Sequence, residues 1–469
     1  MSTVQLPFHY RNDTRKETRQ ENVWMGSVAI VLGAVLLLSL TAFSAPGRKA
    51  PLAGAFDSIA QVKIVARFSV AFVLALMIFR RLRKRSMHRT LLTYLPMVLF
   101  VGWCIASTLW SPLRKVTLGQ TFSLLCCVLL SIVVCELARC RKTEQWMLMS
   151  IMTACALYSL SVVVGLVVAP AYIGLDRFES GIYHPTNIGA TASIGMVLTV
   201  GIHFLFRYRW ALWLVIISSP IHLLALIAAK NRLSLAIATL MVLGLFLWKA
   251  NRKVLPIVGL VVAAITVAVL IVDPRLNVAK TALSGGTEYV ARGQGSRNIS
   301  EFSGRKEMWD VMVRSYLESP WLGHGYAVSS ETGEVLVWYK KENHTAHNAV
   351  LQVLVSTGLI GALLFAIFLL QLVLACFYCN LSKRRRTPMA QLTAVALVWF
   401  FGWSLLNESI FGPLEPETVC FFVIGGLFLS RHIHRDVDEQ SKREARRSQT
   451  EEVQQSVRNR LRLIPREEF

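Results

Sequence analysis

Apolar residues in this chain come in blocks of about twenty, the length a bilayer demands of a helix. The blocks lie near 24–44, 64–79, 91–110, 117–138, 146–168, 188–206, 210–229, 233–249, 254–272, 348–379, 389–407 and 417–431. That pattern predicts about 12 transmembrane helices, with the weakest signals in the short blocks 64–79 and 417–431. It breaks for 74 residues, Asp273 to Ala346, and resumes with His347-Asn348 running into a long apolar helix. The chain therefore reads as an all-α polytopic membrane protein. A polar segment, 1–23, precedes helices 1–9 over 24–272. A large outer loop, 273–346, contains amphipathic helix, helices 10–12 follow over 347–431, and a charged tail occupies 432–469.

The large loop has its own order. Gly, Ser and Arg crowd 284–304, the composition of flexible coil. A helix then starts with Ser303 as N-cap and runs to about Glu318, where Pro320 stops it. Its apolar positions Met308, Val311, Met312 and Tyr316 fall at helical spacing, with Arg305, Glu307, Arg314 and Glu318 on the polar side. Such a helix lies along the outer membrane face or covers the bundle, and Trp321 and Trp338 suit the interface.

Composition and charge sharpen the picture. A net charge of +22 on 469 residues could point to nucleic acid, but 54% of the residues are hydrophobic and the basic ones sit in short runs between apolar blocks. With the N-terminus inside, the inner short segments hold 22 Lys and Arg, as in Arg80–Arg85 and Lys383–Arg386, against 8 in the outer short loops. That asymmetry is the signature of cytoplasmic loops. It puts both termini inside and 273–346 outside. Eight of nine cysteines lie in or near apolar blocks, Cys140 is in a basic loop, and none falls in 273–346. A disulfide framework is not expected, and Cys376-x-x-Cys379 reads as helix packing. The first 23 residues are polar and show no cleavable signal. The tail, with a helix-like run around 436–462, reads as solvated or membrane-surface chain.

Candidate chemistry gathers at the outer boundary. His347 is either a general base, since the ordinary imidazole pKa is about 6.5, or a histidine that ends a helix among lipid headgroups. On a continuous helix, Gly358 lies about 20° from the His347 direction and Gly361 about 40° the other way. One stripe then carries the imidazole and, deeper, two positions where a helix or lipid can approach closely. His344, His347 and Glu342 do not make a convincing metal set, because no third ligand is evident and helical geometry there is doubtful. Arg232, beside Lys230 and Asn231, ends a block on the outer side, and Arg305 opens the loop helix, whose N-terminus attracts anions. Two guanidinium forks near a base suit a diphosphate leaving group and an acceptor hydroxyl that must lose its proton. The 169–187 loop, with Asp176, Arg177, Glu179 and Tyr183-His184-Pro185-Thr186-Asn187, either lines a sugar or phosphate site or is a capped turn. Asn407, Glu408 and Glu417 add a weak acidic signal.

These residues also carry a resemblance. His347-Asn348, nine residues, Gly358, two residues and Gly361 resemble the signature of the O-antigen ligase family. Gly304-Arg305 with Trp309, the run Pro320-Trp321-Leu322-Gly323-His324-Gly325, Asn231-Arg232 and His184-Pro185-Thr186-Asn187 resemble the wider ligase and polymerase superfamily, over roughly 180–380. The resemblance implies a metal-independent, inverting glycosyltransferase of about a dozen helices, without cofactor, in the bacterial inner membrane. It implies a glycan donor on undecaprenyl diphosphate at the periplasmic face and a lipid A-core sugar as acceptor, or a second lipid-linked repeat in a polymerase. His347 would be the catalytic base and Arg232 and Arg305 the diphosphate ligands, with Lys230, Asn348, His184 and Arg177 in support. A lipid-linked glycan transporter is a further alternative, but neither repeated halves nor broken helices near the midplane are evident.

Overall fold

The structure, a computed structural model, describes residues 8–41, 58–138, 141–168, 185–206, 209–249, 305–328, 348–381, 387–407, 414–431 and 433. Among the described residues there is no strand. In chain order the helices are α1 (Phe8–Leu40), α2 (Ser58–Phe79), α3 (Arg85–Ala106), α4 (Arg114–Leu137), α5 (Arg141–Val168) and α6 (Pro185–Phe206). They continue with α7 (Arg209–Ala229), α8 (Arg232–Lys249), α9 (Arg305–Glu318), α10 (Ala349–Leu381), α11 (Pro388–Ser404) and α12 (416–431). A 3-10 turn, Ser107–Leu109, follows α3. The apolar blocks inside the described residues are helical, most with ends within about six residues of those expected, whereas α1 begins at Phe8, well before its block at 24. The block at 254–272 lies outside them. Seven of the helices are long and apolar enough to cross a membrane, and Trp24–Leu40 and Leu233–Leu247 are shorter apolar helices.

The bundle is built around α6. Its run Gly189-Ala190-Thr191-Ala192-Ser193 with Gly195 is small enough for close helix approach, which is how helices pack where lipid is as apolar as a side chain. It packs against α5, α7, α8 and α11. Gly195 faces the ring of His222 on α7, where a Cβ would come within 2.5 Å of Cε1. Neutral hydrogen bonds tie the helices: Trp399 Nε1 donates to Ser193 Oγ (2.8 Å), Ser159 Oγ meets His222 Nδ1 (2.9 Å), and Ser131 Oγ, 2.6 Å from Tyr94 OH, donates to the Phe422 carbonyl (2.7 Å). Cys376 is buried against α11, its Sγ 3.5 Å from the Ala390 carbonyl. The Cys-x-x-Cys pair thus has a packing role on at least one member.

Side-chain contacts sort the helix ends into two sets. At one end, Thr191 of α6 donates to buried Glu417 of α12 (3.0 Å), Asn348 before α10 donates to the Leu405 carbonyl after α11 (3.3 Å), and Gly189 of α6 lies against Asn231 and Ser234 at the start of α8. Tyr326 N–H, beyond α9, donates to Ser107 Oγ after α3 (3.1 Å). At the opposite end, Thr90 and Ser86 of α3 donate to Glu136 of α4 (2.6 and 3.2 Å), Arg431 of α12 pairs with Glu144 of α5, and Ser430 donates to the Ala138 carbonyl (3.1 Å). α3 and α12 each have one end in each set, as alternating spans require. In a cysteine-free background, a single cysteine at Lys115 or Lys230 should react with an impermeant thiol reagent from one side of a sealed membrane, and one at Arg83 or Lys142 from the other. Labelling of all four from one side would contradict the arrangement.

Candidate functional site

Three of the sequence-predicted positions begin or precede helices. Arg232 is the first residue of α8, Arg305 the first of α9, and His347 stands two residues before Ala349, where α10 begins. The side chains of Arg232 and Arg305, and all of His347, His184 and Arg177, lie outside the described residues, as do His344, Glu342 and Trp338. Among the described residues no three His, Cys, Asp or Glu side chains converge as metal ligands.

The backbone around these positions is well specified. Asn231 Oδ1 accepts from the Ser234 N–H (3.2 Å), a helix N-cap that makes Arg232 the first helical residue. Lys230, just before it, takes a left-handed φ of 44° in the turn from α7. Gly189 brings α6 so close that a Cβ there would lie 2.9 Å from the Asn231 Cβ. Pro185 opens α6, the position where its missing N–H costs nothing. Pro185-Thr186-Asn187 and Asn231-Arg232 therefore sit at two packed helix starts. Asn348 caps α10: its Oδ1 accepts from the Val350 and Leu351 N–H groups (3.0 and 3.1 Å).

The expected continuous helix over 348–379 is instead two. Gly358 has φ 64° and ψ −172°, which divides α10 into Ala349–Thr357 and Leu359–Leu381. The stripe linking His347 to both glycines is therefore interrupted. What approaches Gly358 is neither a helix nor a lipid but loop backbone: a Cβ there would overlap the Trp321 carbonyl and lie 2.6 Å from the Leu322 nitrogen. Left-handed backbone costs an L side chain about 1–2 kcal/mol before any clash. Gly361, on the inner half, lies beside Trp103 of α3, with Cδ1 2.8 Å from where its Cβ would be.

The run after α9 mends the break. In an unbroken helix the Leu359 and Ile360 N–H groups would bond to the Val355 and Ser356 carbonyls. Here they donate to the carbonyls of Pro320 (2.8 Å) and Trp321 (3.4 Å). The two carbonyls accept instead from the N–H groups of His324 and Gly325, both at 3.0 Å. Trp103 Nε1 donates to the Thr357 carbonyl (2.8 Å). Gly323 (φ 68°) and Gly325 (φ 115°) let the run fold this tightly: a Cβ on Gly323 would sit 2.5 Å from the Gly358 nitrogen, and one on Gly325 2.6 Å from Ser111.

α9 docks beside it. Met312 is buried against Val355, with Val311, Tyr316 and Leu351 around them, and His324 Nε2 meets the Ser315 carbonyl at 2.8 Å. Tyr326 is buried edge-on to Phe100 (6.5 Å), and that burial pushes its phenol well above the ordinary range, so it stays neutral. Trp321 is 62% exposed.

Residues 221–366 match the family model described as O-Antigen ligase. That stretch, under a third of the chain, is similar to the O-antigen ligase domain. The matched stretch begins in α7, ends in α10 and contains Arg232, Arg305, His347, Gly358 and Gly361. No curated protein matches the chain.

Sequence reasoning assigned no role to Trp103, Ser107 or Ser111, and the Pro320–Gly325 run entered it only as a helix stop, an interfacial tryptophan and a resemblance. Thr191 gave no signal. The Asn348 cap is testable: Asn348→Ala should cost about 1 kcal/mol locally and speed amide exchange at Val350 and Leu351 roughly fivefold. Asn348→Asp, which keeps the acceptor, should leave that exchange near wild type. Unchanged exchange in the alanine variant would remove the cap.

Proposed function

We propose that this protein is an O-antigen ligase-like glycosyltransferase of the bacterial inner membrane. It moves a glycan from undecaprenyl diphosphate to a hydroxyl of a lipid A-core sugar at the periplasmic face. The observation that carries the reading is the convergence, inside the matched stretch, of the starts of α8 and α10 at one end of the bundle, with α9 docked there. That arrangement supports a site to which Arg232 and His347 both contribute. Arg83 and Lys142 at the opposite end support cytoplasmic termini.

The chemistry then follows from residue types. Neutral His347 takes the proton of the acceptor hydroxyl, whose oxygen attacks the anomeric carbon from the face opposite the diphosphate. The carbon–oxygen bond to phosphate breaks, the configuration inverts, and undecaprenyl diphosphate leaves. Arg232 and Arg305 hold the diphosphate and offset the charge that builds on it, aided by the positive helix starts they occupy. Lys230, Asn348, His184 and Arg177 act in support, as the resemblance implies. The mechanism needs no metal or cofactor. The superfamily resemblance also accommodates a polymerase, in which a second lipid-linked repeat is the acceptor.

The test is transfer by purified protein in lipid, with undecaprenyl-diphosphate-linked glycan and either lipid A-core or a second lipid-linked repeat, in chelator. Product on lipid A-core is expected. His347→Ala should lower it at least 10²-fold, on the scale of general-base catalysis, and Arg232→Ala and Arg305→Ala should weaken donor use. Lengthened lipid-linked glycan would assign a polymerase. Full activity in well-inserted His347→Ala would end the mechanism.

A further inference from the structure

We infer that Gly358 and Gly323 are positioning residues for the transferase base, because their contact splits α10 and aims the short helix Ala349–Thr357, which begins two residues after His347. The inference rests on the function proposed above and adds to it the means by which the base is held. Hydrogen-bond count alone does not explain the break. The Leu359 and Ile360 N–H groups donate to Pro320 and Trp321, and the Val355 and Ser356 carbonyls are taken by His324 and Gly325. A continuous helix would satisfy the same four groups internally, without a left-handed residue and without a partner. What the break changes is direction. Leu359–Leu381 is 23 residues, about 34 Å of helix, enough to span a bilayer unaided. Ala349–Thr357 is thereby released from the axis of that span and takes its direction from four other elements.

Those elements hold it at both ends and along its length. The Pro320–Gly325 run binds its C-terminal end, and Trp103 of α3 donates to the last carbonyl, Thr357. α9 packs Met312 on Val355. At the other end, Asn348 caps it and donates to the Leu405 carbonyl. Gly323 and Gly358 are the points at which two backbones meet with no room for a Cβ on either. Base and acceptor must meet within hydrogen-bond reach, and small misplacements cost rate steeply. A rigid joint at Gly358 meets that requirement.

The experiment compares wild type with Gly358→Ala and Trp103→Phe in the full-length protein in lipid vesicles, with Gly425→Ala as a control. The nearest atom to a Cβ at Gly425 is Leu372 Cδ2, at 3.9 Å. Three readouts are taken: binding of undecaprenyl-diphosphate-linked glycan, turnover, and amide exchange. In Gly358→Ala, donor stoichiometry should persist and Kd stay within about threefold, while turnover falls at least 10²-fold. Exchange at His324 and Gly325 should accelerate, because their acceptors return to the helix, while Leu359 and Ile360 stay protected. Trp103→Phe, which keeps a ring but loses the donor to Thr357, should lower turnover about tenfold with binding intact. Wild-type turnover in Gly358→Ala, or a loss that only tracks lost donor sites, would overturn the positioning role. If wild type transfers glycan to neither acceptor, the functional reading fails and the positioning role with it. The exchange pattern would then report on the joint alone.

Discussion

A backbone N–H or carbonyl at membrane depth has no water to turn to, so any interruption of a helix there must be mended by other protein. That constraint organises one end of this molecule. Splitting α10 at Gly358 releases two N–H groups and two carbonyls, and the Pro320–Gly325 run answers all four. The run can do so only because Ser107 and Ser111 receive its far side and Phe100 receives Tyr326. The short 3-10 turn after α3, the two left-handed glycines of the run and the docking of α9 are parts of one arrangement. None of them has a purpose in isolation.

The rest of the bundle follows a related economy. Buried carboxylates lie near helix ends and are partnered there: Glu136 by Thr90 and Ser86, Glu144 by Arg431, Glu417 by Thr191. Deeper contacts are mostly neutral, such as Trp399 with Ser193 and Tyr94 with Ser131. Arg67, nine positions into α2, departs from this pattern and donates to Ser123 Oγ (2.8 Å). Charged groups held near the ends cost less desolvation than groups at the midplane. The same placement leaves polar chemistry available at the boundary where a lipid-linked substrate would present its headgroup.

How much of this was legible in the sequence depended on the range of the interaction. Helix existence and ends were readable because bilayer thickness imposes a local length, and α4, α6 and α10 begin within three residues of their blocks. α9 was readable from its 3.6-residue period and Pro320. The Gly358 break was not, because Val-Leu-Val-Ser-Thr-Gly-Leu-Ile has helical hydrophobicity throughout. A glycine inside such a run signals close approach or a break equally well. Only the partner decides, and Trp321 lies 37 residues upstream across a polar stretch. Trp103, farther away still, carried no local sign. The candidate site was legible as residue types at one boundary. Its scaffold was legible only as the resemblance of the Pro320–Gly325 run.

The domain match and the scaffold do not coincide, and the mismatch is informative. The match spans 221–366, yet the joint in α10 needs Trp103, Ser107 and Ser111, and the start of α8 needs Gly189 on α6. A fragment holding only the matched stretch would expose the Thr357 carbonyl, lose the seat for Tyr326 and remove the helix that confines Asn231 and Ser234. In water such losses are softened by solvation, but in a bilayer each unsatisfied polar group costs several kcal/mol. The preceding spans α3 and α6 are therefore part of the site's construction. Variation in those spans should act on the proposed chemistry through the backbone positions of α8 and α10, without any of their side chains touching substrate.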